Sequence, residues 1–131
     1  MRYFQLLLIM TSIAGLFFEW SRIQFMYING LVHWSGMLIL LFGITSFVFI
    51  MKRKRLYIWT LLLLCSIPLL SVIQYIYFAP ILMISSIDLQ FSQETVQLGF
   101  YITFISGILS FLLLGSSRLI KKHDLNPNNV I

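Results

Sequence analysis

Apolar residues run along this chain in four long blocks separated by short polar breaks, approximately Tyr3 to Phe18, Leu31 to Met51, Leu56 to Phe78 and Leu98 to Ser117. A helix rises about 1.5 Å per residue, so roughly 17 to 25 mostly apolar residues cross about 30 Å of hydrocarbon. The four blocks are of that order. They are too long and too continuously apolar for barrel strands, and a backbone in lipid must satisfy its own hydrogen bonds, so each is expected to be a helix. The first block is the weakest, because Gln5, Thr11, Ser12 and Gly15 dilute it. Its rival reading is a cleaved signal peptide, with Ser12-Ile13-Ala14 before Gly15 as the cleavage site. The expected fold is an all-α integral membrane protein with four transmembrane helices, one membrane domain over residues 1–131, and a flexible tail over 121–131 rich in turn formers.

Composition agrees with the pattern. Of 131 residues, 60% are hydrophobic and 10% charged, where a soluble domain carries about 25% charged residues. No length is left for a separate soluble domain. The net charge is +5, but the basic residues cluster at the ends of apolar runs, as membrane orientation requires, and a nucleic-acid partner is not expected. Four spans place Arg2, Lys52-Arg53-Lys54-Arg55, Arg118, Lys121 and Lys122 on one side, eight of the nine basic residues, with only Arg22 opposite. Short Lys- and Arg-rich loops stay cytoplasmic. The expectation is therefore a multi-pass plasma-membrane protein with both termini cytoplasmic. Three of the four acids, Glu19, Asp88 and Glu94, fall in the two outer loops.

A shift of 64 residues lays Gly43-Ile44-Thr45-Ser46-Phe47 on Gly107-Ile108-Leu109-Ser110-Phe111, Ser21 on Ser85, Lys54 on Arg118, and Ile23, Phe25, Tyr27 on Ile87, Leu89, Phe91. Such matches suggest an internal repeat, with units 1–55 and 56–120 forming two tandem hairpins related by a pseudo-two-fold axis along the membrane normal. Unrelated amphipathic hairpins sharing small residues are the alternative. Apolar residues at period two in both outer loops suggest strands, and that symmetry would pair them antiparallel. A two-stranded β cap is expected from Ile23–Tyr27 and Ile87–Phe91, against irregular loop or an interfacial helix, especially over 80–86.

Candidate chemistry is sparse. The spans hold no Asp, Glu, Lys or Arg at mid-depth, which argues against a proton- or sodium-coupled transporter. One cysteine, Cys65, permits no intrachain disulfide and no cysteine metal site. His33 lies at the outer surface beside Trp34, and His123 is on the opposite side. No metal or cofactor is expected, and no serine triad, carboxylate pair or phosphate loop can be assembled, so an enzyme is not expected. Trp20, Trp34, Tyr27, Tyr75 and Tyr77 read as an outer aromatic belt, with Tyr57 and Trp59 at the inner surface. Pro68 should kink the third span.

Small residues are more informative. Gly99, Thr103 and Gly107 repeat every four residues with Ser110 alongside, and Gly36 and Gly43 lie on the second span. Such faces let helices approach closely, either within this bundle or against another subunit. Lys52, Arg53, Lys54 and Arg55 form a candidate contact for anionic lipid, or simply the orientation signal. The glycine and arginine pattern of small fluoride channels, the first-span glutamate of small multidrug exporters and the loop cysteines of quinone-linked disulfide oxidases are all missing. The expected function is non-enzymatic: an accessory, regulatory or immunity-type subunit of a membrane complex, partnered by the lipid bilayer and by another membrane protein or itself. The alternative is a small oligomeric carrier or channel for a neutral or lipophilic substrate.

Overall fold

A computed structural model of the protein describes residues 2–52, 57–84 and 86–124. Along the chain lie α1 (Arg2–Gly15), β1 (Glu19–Ile23), β2 (Met26–Asn29), α2 (Trp34–Met51), α3 (Tyr57–Ile76), α4 (Phe78–Ile81), α5 (Leu89–Thr95) and α6 (Leu98–Asp124). Among the described residues, three helical stretches are long and apolar enough to cross a membrane: Trp34–Met51, Tyr57–Ile76 and Leu98–Ser117. The first apolar block differs from the expected full-length span. Its helix has 14 residues, about 20 Å of rise, and stops at Gly15, whose carbonyl accepts the Trp20 indole N–H at 2.9 Å. The chain then turns into β1. The tail expected over 121–131 begins inside α6, and residues 125–131 lie outside the described residues.

The four long helices form a ring in which α1 neighbours α2 and α6, and α3 neighbours α2 and α6. Their contacts run antiparallel. Gln5 meets Ser110 and Ser12 meets Thr103, Arg2 reaches the Met51 carbonyl, and Tyr57 donates to the Leu114 carbonyl at 3.0 Å. One end of the bundle, the basic end, therefore gathers Arg2, Met51, Tyr57 and Leu114, and the other carries the cap. Ile9, Leu16, Ile39, Leu64 and Ile67 fill the interior, with Trp20, Phe78 and Phe100 closing it at the cap end. Trp20 and Phe100 meet edge to face, with ring centroids 5.7 Å apart, a preferred aromatic geometry. Trp20 thus leaves the aromatic belt expected of it and becomes a core plug, 0% exposed. Trp34, Tyr27, Tyr77 and Trp59 stay exposed.

A two-stranded antiparallel sheet is present, but its strands are not the expected pair. β1 and β2 form a hairpin within the first connection, with Ile23 opposite Met26 across a turn at Gln24 and Phe25. Gln24 has φ 46, the left-handed conformation such two-residue turns demand. In the second connection, Ile87–Phe91 leads into α5, because the Asp88 carboxylate caps that helix by accepting from the Phe91 N–H at 3.1 Å. An N-cap aspartate favours a helix start, and the alternation that suggested a strand covers too few residues to outweigh it. The two connections still touch, through an antiparallel bridge between Ser21 and Val96, the Gln97 N–H donating to the Trp20 carbonyl at 2.8 Å, and Ser21 Oγ donating to Thr95 Oγ1 at 2.8 Å. Glu19 pairs with Arg22 of its own strand at 3.5 Å, not across the cap.

Candidate functional site

The small-residue faces singled out in the sequence all meet neighbours inside the chain. Thr103 and Ser12 exchange hydrogen bonds. Ser12 Oγ donates to the Thr103 carbonyl at 3.0 Å and Thr103 Oγ1 donates to the Ser12 carbonyl at 3.1 Å. Two residues at this seam need the absence of a side chain for the approach: a Cβ on Gly99 would sit 2.6 Å from the Glu19 carbonyl oxygen and 3.0 Å from that of Gly15, and one on Gly15 would overlap Thr103 Oγ1. Further toward the basic end, Gln5 Nε2 donates to the Ser110 carbonyl at 2.7 Å and to Ser110 Oγ at 2.8 Å. Gly107 instead faces Ile67 and Pro68 of α3, Gly43 faces Ile13 of α1, and Gly36 lies against the Gly30 carbonyl. These placements fit the packing alternative.

A second polar set joins α2, α3 and the hairpin at the cap end. His33 Nδ1 lies 2.7 Å from Ser35 Oγ, Ser35 Oγ donates to Gln74 Oε1 at 3.3 Å, and Gln74 Nε2 donates to the Asn29 carbonyl at 3.3 Å. A serine hydroxyl has one proton to give. With that proton on Gln74, His33 Nδ1 must be the donor to Ser35, which leaves Nε2 as the nitrogen that gains or loses a proton. The imidazole stacks on Tyr77 with ring centroids 5.5 Å apart, and partial burial holds its pKa below the ordinary 6.5 because desolvation disfavours the cation.

Two surface hollows stand out. One, about 420 Å³, is an apolar groove between α1 and α2 lined by Met10, Ile13, Ala14, Phe17, Ile44 and Phe47. The other, about 850 Å³, is mixed and lies at the cap beside α5, lined by Tyr75, Leu89, Gln90, Gln93 and Glu94. Among the described residues no group of three or more His, Cys, Asp or Glu gathers to hold a metal. Of the basic run considered for anionic lipid, Lys52 is exposed at the end of α2, and Arg53, Lys54 and Arg55 lie outside the described residues.

Sequence reasoning did not single out Gln5, Ser12 or Gln74 as anchors. The available signal was their polarity inside apolar runs. Buried polar groups seek partners, and each finds one on another helix or on the hairpin. Set against known protein families, curated proteins and solved structures, the chain matches none.

Proposed function

We propose that the chain is a four-span protein of the plasma membrane with both termini cytoplasmic, acting without catalysis as an accessory, regulatory or immunity-type subunit of a membrane complex. The apolar groove between α1 and α2 carries this reading. It lies between two long helices, polar atoms are nearly absent from its lining, and such a lining suits the apolar side of a partner's transmembrane helix. The Gly99, Thr103 and Gly107 face is occupied within the chain, so docking is assigned to the groove.

The four-span reading is supported by the ring itself. Arg2 at the start of α1 reaches the Met51 carbonyl at the end of α2, so α1 starts at the basic end as α3 does. The concentration of basic residues at that end supports its cytoplasmic placement. The tandem-hairpin reading draws support from Gly43 and Gly107, each of which packs on the preceding long helix, whereas the cap connections, a hairpin and a helix, are unlike each other.

The test is purification in mild detergent at native abundance, with a photo-crosslinking residue at Ile44. A stoichiometric larger protein crosslinked through Ile44, and lost when Ala14→Trp fills the groove, supports the subunit reading. A clean homo-oligomer that carries out substrate flux alone in liposomes overturns it in favour of a carrier or channel.

A further inference from the structure

We infer that the cap is embedded in the lipid leaflet that surrounds it, and that Phe25 and Met83 are its lipid-contacting tips. The inference rests on the four-span reading above and adds where the membrane ends.

The first reason is thickness. Arg2 and Lys52 hold the basic end at a membrane surface, since sinking it would carry them into hydrocarbon. From that level α1 rises about 20 Å to Gly15, where it packs on Gly99 at the start of α6. Hydrocarbon is about 30 Å thick, and about 40 to 45 Å with the headgroup zones. Up to about 10 Å of hydrocarbon and a headgroup layer therefore surround the base of the hairpin beside α1, narrowing to about 3 Å beside α2, whose 18 residues rise about 27 Å from the same level. β1, five residues long, rises about 3.3 Å per residue, so an upright hairpin ends at the outer edge of the headgroup zone and a tilted one within it.

The hairpin is built for that depth. Backbone groups near hydrocarbon need internal partners, and its base has them: the Gly30 N–H donates to the Leu16 carbonyl and the Gln97 N–H to the Trp20 carbonyl, both at 2.8 Å. A register irregularity between Glu19 and Ser21 lets Glu19, the one charge at the base, reach Arg22 at 3.5 Å, three residues nearer the tip. This is the way a charged side chain in a membrane extends toward the polar surface.

The tips supply the second reason. Phe25 is 97% and Met83 94% exposed, and both sit at left-handed turns, Met83 with φ 57 and Phe25 directly after Gln24 with φ 46. Left-handed backbone is costly for residues other than glycine, and here it presents large apolar side chains outward at both connections. Met26 and Tyr27 beside the first tip, and Ile84 and Ile87 beside the second, are also exposed. Phe17, Phe18, Val32 and Trp34 at the hairpin base continue this surface down onto the lipid-facing sides of the helices. Water would be a poor environment for such a surface, and the boundary between headgroups and acyl chains is a favourable one.

The experiment uses the full chain in phosphatidylcholine vesicles with Cys65→Ala and a nitroxide on Phe25→Cys or Met83→Cys. Leu62→Cys on the exposed side of α3 serves as the lipid reference and free label in buffer as the aqueous one. Collision with oxygen, which concentrates in lipid, is compared with collision with a water-soluble nickel chelate. Both tips are expected to favour oxygen severalfold over free label, lying between the two references. Chelate access equal to that of free label at both positions overturns the inference. In the same vesicles, tags on the two termini report sidedness. Opposite sides overturn the four-span reading and the thickness argument with it, whereas the same side with aqueous tips overturns only the cap placement.

Discussion

The two interfaces α1/α6 and α2/α3 occupy equivalent places in the ring, yet they are held by different chemistry. Between α1 and α6, polar contacts run the length of the shorter helix, from Gln5 on Ser110 through Ser12 on Thr103 to Gly15 against Gly99. None of these groups titrates in the ordinary pH range. Between α2 and α3 the described inter-helix hydrogen bond is gathered at the cap end, where Ser35 meets Gln74 with His33 attached. Deeper in α2, Ser46 Oγ is buried without a partner, although the shift of 64 residues aligns it with Ser110. A short helix needs dense local fixing. α1 has only 14 residues, and small residues with reciprocal hydroxyls let its backbone approach α6 closely. Among the described residues, α2 and α3 are joined by this clasp at the cap and by apolar side chains such as Ile39, Leu64 and Ile67 buried between the helices.

Gly99→Leu is the hardest test of the α1/α6 side. Its new atoms would meet two backbone carbonyls, at 2.6 and 3.0 Å from the Cβ position, and backbone does not yield as a flexible side chain does. Overpacking costs roughly 1 to 3 kcal/mol and occasionally more, and this site belongs at or beyond the upper end. The expected outcome is loss of the folded bundle in detergent, read as early unfolding by circular dichroism. A stable variant would show that α1 does not pack on α6 in this way.

Next comes Gln5→Leu, which leaves the Ser110 hydroxyl without its donor, while the Ser110 carbonyl loses its second donor and keeps its bond within α6. A buried group deprived of its partner costs about 1 to 3 kcal/mol. Unfolding by titration with a denaturing detergent should shift accordingly, and an unchanged midpoint would remove the polar seam as the reason α1 holds.

How much of this was legible in the chain depended on the range of the signal. The long helices follow from composition alone, because lipid admits little else at those lengths. The clustering of Gly99, Thr103, Gly107 and Ser110 was visible as a face, but what it faced was not. Partner choice depends on the rotation of each helix about its axis, which a broadly apolar sequence leaves weakly encoded. Gln5 and Ser12 looked like dilution of a span and are anchors. The cap was half legible. Alternation marks Ile23 to Tyr27 as extended, but over Ile87 to Phe91 it competes with the Asp88 cap of α5, and a single N-cap aspartate decides the state of a seven-residue segment more than its alternation does. The end of α1 at Gly15 was hidden because Leu16-Phe17-Phe18 continue the apolar run that the backbone leaves.

Smaller effects come from the aligned serines. Ser110→Ala removes one of two acceptors for Gln5 and should cost about 0.6 kcal/mol, the typical value for inter-helix hydrogen bonds in membranes. Ser46→Ala removes a buried hydroxyl that has no partner and should be neutral or stabilising by up to about 1 kcal/mol. Opposite signs in paired thermal unfolding measurements would sharpen the contrast between the interfaces. Equal destabilisation would mean that Ser46 has a partner after all.

The smallest effect separates the interfaces by pH. Burial holds His33 below its ordinary pKa of 6.5, so the folded protein binds that proton more weakly than the unfolded chain does. Stability from this source is complete above the unfolded value and declines as pH falls through it and through the lower folded value. The melting temperature in detergent should therefore drop from about pH 7.5 to about pH 5, and His33→Gln should remove part of that slope. Combining His33→Gln with Ser12→Ala tests where the sensitivity resides. Ser12 belongs to the seam without titratable groups, so its loss should lower stability by the same amount at every pH and leave the remaining slope unchanged. If Ser12→Ala altered the slope instead, protonation at the α2/α3 clasp would be felt at α1/α6, and the two interfaces would have to be treated as one coupled unit.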